Sequence, residues 1–282
     1  AAAVGHEAED VPSNRIRLAM TKTMPVLAHR DFGGEGRPPL IILHGLLGSS
    51  RNWQSAGRDL AEHFHVHALD LRNHGDSFHA REMDYPAMAM DVAAWMGAHG
   101  IERARLIGHS MGGKVGMVLA CRFPQRLEKF VAVDIAPRAY PAGHVKEFEA
   151  MHALDLDTLG SRQEAEAAVE LYVSEWGMRQ FLLSNLERKP DGGFRWMINL
   201  QGITDALSTL EDEFLGEGDR FDGEVLFLLG GRSKYFKPED RARVKKHFPA
   251  AKIETMPSVG HNPHFEAREA FVAEVMKFLG AP

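Results

Sequence analysis

The sequence is nearly without cysteine: Cys121 stands alone among 282 residues, so no disulfide can form within the chain. A buried core must therefore hold the fold. A lone thiol also fits a reducing compartment, which makes the cytoplasm the expected location. Set between Val118-Leu119-Ala120 and Arg122-Phe123, Cys121 reads as small core filler in a helix. Long apolar runs are missing as well. None approaches the roughly 20 residues that span a bilayer, so no membrane span is expected. The first 19 residues carry Glu7, Glu9 and Asp10 and no continuous apolar stretch, which argues against a secretory leader and against a mitochondrial transit peptide. Basic charge is in short supply: 33 Lys and Arg stand against 39 Asp and Glu, a net charge of −6. With no basic stripe, a nucleic-acid partner has no electrostatic footprint.

What is present is the balance of an ordinary globular chain, 44% hydrophobic and 26% charged, enough for a core of respectable size. Short apolar runs recur at residues 40–43, 66–69, 105–107, 130–133, 225–229 and 252–255, and suit strands buried on both faces of a parallel sheet. Helical patterns alternate with them, over residues 53–63, 85–99, 111–122, 239–247 and 265–279. Strand and helix in alternation predict an α/β fold with a doubly wound, mostly parallel sheet. Between Pro137 and Phe221 only amphipathic helical segments are apparent, such as Glu164–Trp176 and Met178–Leu186. The expected organisation is a flexible extension over residues 1–23, with Met20 and Met24 as candidate natural starts, a core over 24–137 and 222–282, and a helical cap over 138–221. An insertion at that point sits over the carboxyl ends of the strands, where open α/β sheets bind ligands.

The chemistry-bearing signal is Gly108-His109-Ser110-Met111-Gly112, which follows the strand Arg105-Leu106-Ile107 and opens a helix. G-x-S-x-G in a strand–turn–helix setting holds a serine hydroxyl clear of the sheet on a strained turn, and the flanking positions must be glycine because side chains there would strike neighbouring strands. A serine hydroxyl needs a base, which in this chain order comes late. Gly260-His261-Asn262-Pro263 occupies that place, so His261 is the expected base; His264, beyond Pro263, is expected to face solvent or the cap. Transition-state charge calls for backbone donors: the Met111 N–H behind the serine, and the Leu46 N–H, with Leu47 as the alternative, in His44-Gly45-Leu46-Leu47-Gly48-Ser49. His44 itself is expected to brace that loop. The orienting acid has competing candidates. The loop Gly230-Gly231-Arg232-Ser233-Lys234 holds no carboxylate, and Glu239 and Asp240 behind Pro238 read as a helix start. Asp134 ends the strand after the serine strand, and a right-handed crossover sets those strands side by side. Asp134 is therefore favoured, with Asp240 and Glu239 as alternatives.

Four stretches together resemble one family. His44-Gly45-Leu46-Leu47-Gly48-Ser49 with Asn52-Trp53, Asp70-Leu71-Arg72-Asn73-His74-Gly75-Asp76-Ser77, Gly108 to Lys114, and Val133-Asp134-Ile135-Ala136-Pro137 are similar to the YbfF-type esterases of the α/β-hydrolase superfamily, whose eukaryotic relatives are mitochondrial α/β-hydrolase domain proteins. Phe194-Arg195-Trp196-Met197-Ile198-Asn199-Leu200 in the cap is similar too. The resemblance runs from about Pro25 to Leu279 and implies the α/β-hydrolase fold, an acid on the strand after the nucleophile, and a carboxylesterase acting on short- to medium-chain acyl esters, with acyl thioesters as a second class.

The expected enzyme is thus a serine hydrolase working through Ser110, His261 and Asp134, with a small-molecule ester or thioester as its partner and no metal ion or organic cofactor. The rival readings are a cofactor-free haloperoxidase or perhydrolase, a carbon–carbon bond hydrolase on the same triad, and a non-catalytic small-molecule receptor. Trp53 and Trp196 are candidate pocket residues, though each also suits ordinary core. Asp70 and Arg72 are expected to tie a strand end to its loop. His63, His65 and His67 alternate and would share one face of a strand. A solvated edge or a helix-to-strand junction accounts for them, a metal site being the alternative.

Overall fold

Consecutive residues of a strand point to opposite faces of its sheet, and in the computed structural model both faces are covered. Residues 25–280 are described; the extension expected over 1–23 lies outside the described residues. The strands are β1 (His29–Asp31), β2 (Pro39–Leu43), β3 (His65–Leu69), β4 (Ala104–His109), β5 (Leu127–Val133), the short β6 (Leu186–Arg188) and β7 (Phe194–Trp196), β8 (Glu224–Gly230) and β9 (Lys252–Met256). Seven of them form one sheet in the order β1-β3-β2-β4-β5-β8-β9. Every pairing in it is parallel except β1 with β3.

The alternation divides each strand between two cores. Ile41, Leu43, Leu106, Phe130, Ala132, Val225 and Phe227 face one layer, where helices α2 (Tyr85–Ala98) and α3 (Met111–Arg122) pack. Leu40, Ile42, Ile107, Val131, Val133, Leu226 and Leu228 face the other. There α1 (Gln54–Leu60) and the C-terminal helix supply Ala56, Leu60, Phe271, Val275 and Phe278. This two-sided burial is why the runs read as continuously apolar rather than alternating.

Between β5 and β8 lie helices α4 (Val145–His152), α5 (Arg162–Glu170), α6 (Trp176–Leu183) and α7 (Leu200–Glu211). The expectation of helices alone in this segment is corrected: β6 and β7 pair as an antiparallel hairpin, with Leu186 opposite Trp196. The segment is fastened to loops at the strand ends and to the first residue of α2. Asn185 Nδ2 donates to the Leu47 carbonyl at 2.8 Å, the Asn199 N–H donates to the Asn73 carbonyl at 2.9 Å, and the Tyr85 hydroxyl donates to the Leu210 carbonyl at 2.7 Å. The chain then completes β8, α8 (Asp240–His247), β9, the one-turn α9 (Pro263–Glu266) and α10 (Arg268–Leu279). Among the described residues no helix is long and apolar enough to cross a membrane.

Candidate active site

The strand-to-helix turn after β4 is built from glycine by necessity. A Cβ on Gly108 would lie 2.3 Å from the Gly112 carbonyl oxygen, and one on Gly112 would lie 2.5 Å from the carbonyl oxygen of Leu43 on the adjacent strand. With that clearance Ser110 takes φ 51° and ψ −115°, a left-handed conformation that L-residues rarely adopt. Such a position costs of order 1–3 kcal/mol and persists only where the surroundings enforce it. The Ser110 N–H donates to the Val133 carbonyl at 3.1 Å and the Gly112 N–H to the His44 carbonyl at 3.1 Å, so the neighbouring strands on both sides hold the turn.

Asp134 leaves the end of β5 with φ 50° and is completely buried. Its N–H donates to the Leu228 carbonyl at 2.9 Å. One carboxylate oxygen, Oδ1, accepts the Gly230 N–H at 2.9 Å, and the other, Oδ2, lies 2.7 Å from His261 Nδ1. A buried carboxylate facing Nδ1 favours the tautomer with the proton on that nitrogen and leaves Nε2 as the basic one. Asp240, the alternative acid, is engaged elsewhere: its Oδ2 accepts from Arg138 Nε at 3.1 Å and from the Lys237 N–H at 2.8 Å.

The His261 ring is held from two directions. It stacks on Tyr235, with ring centroids 3.8 Å apart and 14° between planes. His109 Nε2 lies 2.8 Å from its backbone carbonyl. Burial, then the neighbouring His261, holds the His109 imidazole well below its ordinary pKa, so it is neutral and donates from Nε2. Tyr235 and Ser110 line one cavity of about 270 Å³, together with Leu46, Met111, Tyr85 and Ile135. In the loop after β2, His44 Nε2 accepts the Leu71 N–H at 3.0 Å, which braces the turn. The Leu47 N–H is committed to His74 Nε2 at 3.3 Å, whereas Leu46 borders the cavity.

Two expected pocket residues do not reach the cavity, and the expectation for both is corrected. Trp53 is 1% exposed in the layer packed by α1 and α10, because a short 3-10 turn aims its ring beneath the sheet. Trp196 sits on β7, where it packs against the core of the other layer. His264 is also buried rather than facing solvent or the cap; it stacks on Trp53 at 4.1 Å with 9° between planes. Asp70 and Arg72 do tie the end of β3. Asp70 accepts the N–H groups of Ser50 and Asp76, and Arg72 forms a two-pronged pair with buried Asp91 at 2.6 and 2.8 Å.

Lys114 is one of the cavity residues that the sequence did not single out. Its Nζ donates to the Leu210 carbonyl at 3.1 Å and lies 4.7–5.1 Å from the rings of Tyr140, Tyr85 and Phe214. Burial, then the charge of Arg138, brings its pKa down to about 8. The available signal was a single cation in the apolar stretch Met111 to Cys121. Tyr235 left no comparable signal.

Comparison with known proteins agrees with this architecture. Residues 38–268 match the family described as alpha/beta hydrolase fold. The sn-1-specific diacylglycerol lipase ABHD11 of Mus musculus is 36% identical over 266 residues, covering 92% of this chain and 86% of its own. Esterase YbfF of Escherichia coli is 34% identical over 242 residues, covering 86% and 92%. A solved marine microorganism esterase superposes with a TM-score of 0.88 at 36% identity, over 90% of this chain and all of that one. A match across most of the chain, relatives of nearly equal length and a common sheet lead to one conclusion: this chain belongs to the alpha/beta hydrolase fold family.

Proposed function

We propose that this protein is a serine hydrolase that cleaves carboxylic esters of short- to medium-chain acyl groups through an acyl-enzyme, with acyl thioesters as a second substrate class. The observation that carries this reading is the 2.7 Å contact between Asp134 Oδ2 and His261 Nδ1, together with a serine held at φ 51° on the adjoining strand end. In the proposed cycle Ser110 Oγ bonds to the substrate carbonyl carbon while His261 Nε2 takes the hydroxyl proton. The carbonyl π electrons move to oxygen, and the N–H groups of Leu46 and Met111 stabilise that oxyanion. Collapse breaks the bond to the alcohol or thiol, which leaves with the proton held on His261. Water then repeats the sequence on the acyl-serine and releases the carboxylic acid. Asp134 fixes the imidazole tautomer throughout.

Three observations support these assignments. The Leu47 N–H is engaged by His74, which favours Leu46 as the oxyanion donor. A cavity of about 270 Å³ lies just below the usual range of ligand pockets, about 300–1,000 Å³, which favours short and medium acyl groups. Relatives bearing the names esterase and diacylglycerol lipase belong to the same reaction class. Ser110→Ala is expected to abolish p-nitrophenyl butyrate hydrolysis without unfolding the protein; retention of most of the activity in a folded variant would refute the serine mechanism.

A further inference from the structure

At the β1 edge of the sheet, three strands from the one that carries the serine, the pleat gathers donor groups that the hydrolytic reading does not use. β1 runs antiparallel to β3 with Asp31 directly opposite His67 and His29 opposite Leu69. Residues two apart on a strand share a face, and directly opposed residues do too. His29, Asp31, His65 and His67 therefore all project from one face, the face covered by Trp95 of α2. The ring of His67 lies 4.1 Å from that of His65 and 5.2 Å from that of Trp95. His63, the third member of the alternating set in the sequence, precedes the strand, and Asp31 from the antiparallel strand takes its place.

We propose that Asp31, His65 and His67 form a binding site for a late first-row divalent cation, zinc foremost. One donor atom from each residue lies within 4.8 Å of the other two, and Asp31 Oδ2 and His65 Nε2 are already 2.9 Å apart. Tetrahedral zinc with ligands at about 2.0–2.1 Å sets donor atoms about 3.3 Å apart, so the widest gap has to close by at most about 1.5 Å, within the reach of side-chain torsions. An independent observation points to a missing ligand. His67 is 5% exposed, and its Nδ1 is buried with no hydrogen-bond partner among the described residues, an expensive condition for a polar atom.

The donor chemistry selects the ion. Two imidazoles and a carboxylate suit zinc, copper or nickel, whereas calcium and magnesium demand oxygen ligands. Asp31 supplies the negative charge that balances part of the ion's own. His65 and Asp31 are partly exposed, which gives an ion a route in and leaves a coordination position for water. The site would clip the three-residue edge strand β1 to β3. The sheet order puts three strand spacings, about 14 Å, between β1 and the strand that carries Ser110, so the ion acts on stability rather than on hydrolysis.

The test is calorimetric titration of the tag-free protein with zinc chloride at pH 7.5 in a non-chelating buffer, alongside thermal melts. Wild type is expected to take up one zinc with Kd below about 10 µM. At zinc concentrations about 100-fold above Kd, Tm should rise by about 5–10 °C. The double variant Asp31→Asn/His65→Gln, altered only at partly exposed side chains, should lose at least about 100-fold in affinity together with the Tm shift. His63→Gln should retain both, and ester hydrolysis should be unchanged in all three. The proposal is overturned if wild type shows no saturable uptake below about 100 µM zinc. It is equally overturned if the double variant binds zinc as wild type does, since the ion would then sit on other histidines.

Discussion

Asp134→Asn alters hydrogen-bonding chemistry while leaving the side chain's shape intact, and the surrounding atoms dictate the outcome. Oδ1 accepts the Gly230 N–H at 2.9 Å and Oδ2 faces His261 Nδ1 at 2.7 Å, so the carboxylate accepts on both sides. An amide has one oxygen. If its NH2 group faced Gly230, two donors would meet in a site with no solvent access, at a cost of about 1–3 kcal/mol. The oxygen therefore stays with Gly230 and the NH2 turns toward His261, whose Nδ1 must then accept. The imidazole proton is driven to Nε2, where the ring can no longer take a proton from the serine. The equivalent tautomer reversal in serine proteases lowers kcat by about 10⁴, equal to about 5 kcal/mol of lost transition-state stabilisation. Steady-state kinetics on p-nitrophenyl butyrate should show that loss in kcat, with KM nearly unchanged and the melting temperature close to wild type. A folded variant that keeps more than about a tenth of wild-type kcat would refute the assigned role of Asp134. A larger loss in Asp240→Asn than in Asp134→Asn would transfer that role to Asp240.

Two further substitutions probe how the scaffold holds the site. Gly108→Ala drives a methyl group against the Gly112 carbonyl at 2.3 Å, where only backbone could yield. It should destabilise the protein by about 3 kcal/mol or more in urea titrations, and a change within about 0.5 kcal/mol would contradict the close-packed turn. His264 has its pKa brought down to about 3 by burial, below the unfolded value of 6.5. Its contribution to stability is thus full above pH 6.5 and declines as pH falls toward 3. His264→Phe keeps a ring against Trp53 but cannot titrate, so its loss of stability between pH 7.5 and 5.5 should be smaller than that of wild type by roughly 1 kcal/mol. Parallel declines in the two proteins would show that His264 is not the group responsible.

The sheet was legible where burial on both faces wrote itself into continuous apolar runs, as at residues 40–43 and 225–229. The turn at Ser110 was legible because close backbone approach tolerates only glycine at 108 and 112. Asp134 could be singled out because the handedness of crossovers places β5 beside β4. β1 was not legible: His29-Arg30-Asp31 is short and polar, and its place at the sheet edge follows from pairing rather than propensity. The β6–β7 hairpin is equally short, and its cross-strand partners, not an apolar period, define it. Trp53 and His264 were misread because their directions are set by stacking on each other across 211 positions of sequence, the difference between 264 and 53, which no local pattern records.

The most direct measurement is labelling of the folded protein with a fluorophosphonate, followed by peptide mass spectrometry. The expected result is a single stoichiometric adduct on the peptide that contains Ser110, lost in His261→Ala while that variant remains folded. An unlabelled native protein, or an adduct on any other residue, would contradict a base-activated serine at this site.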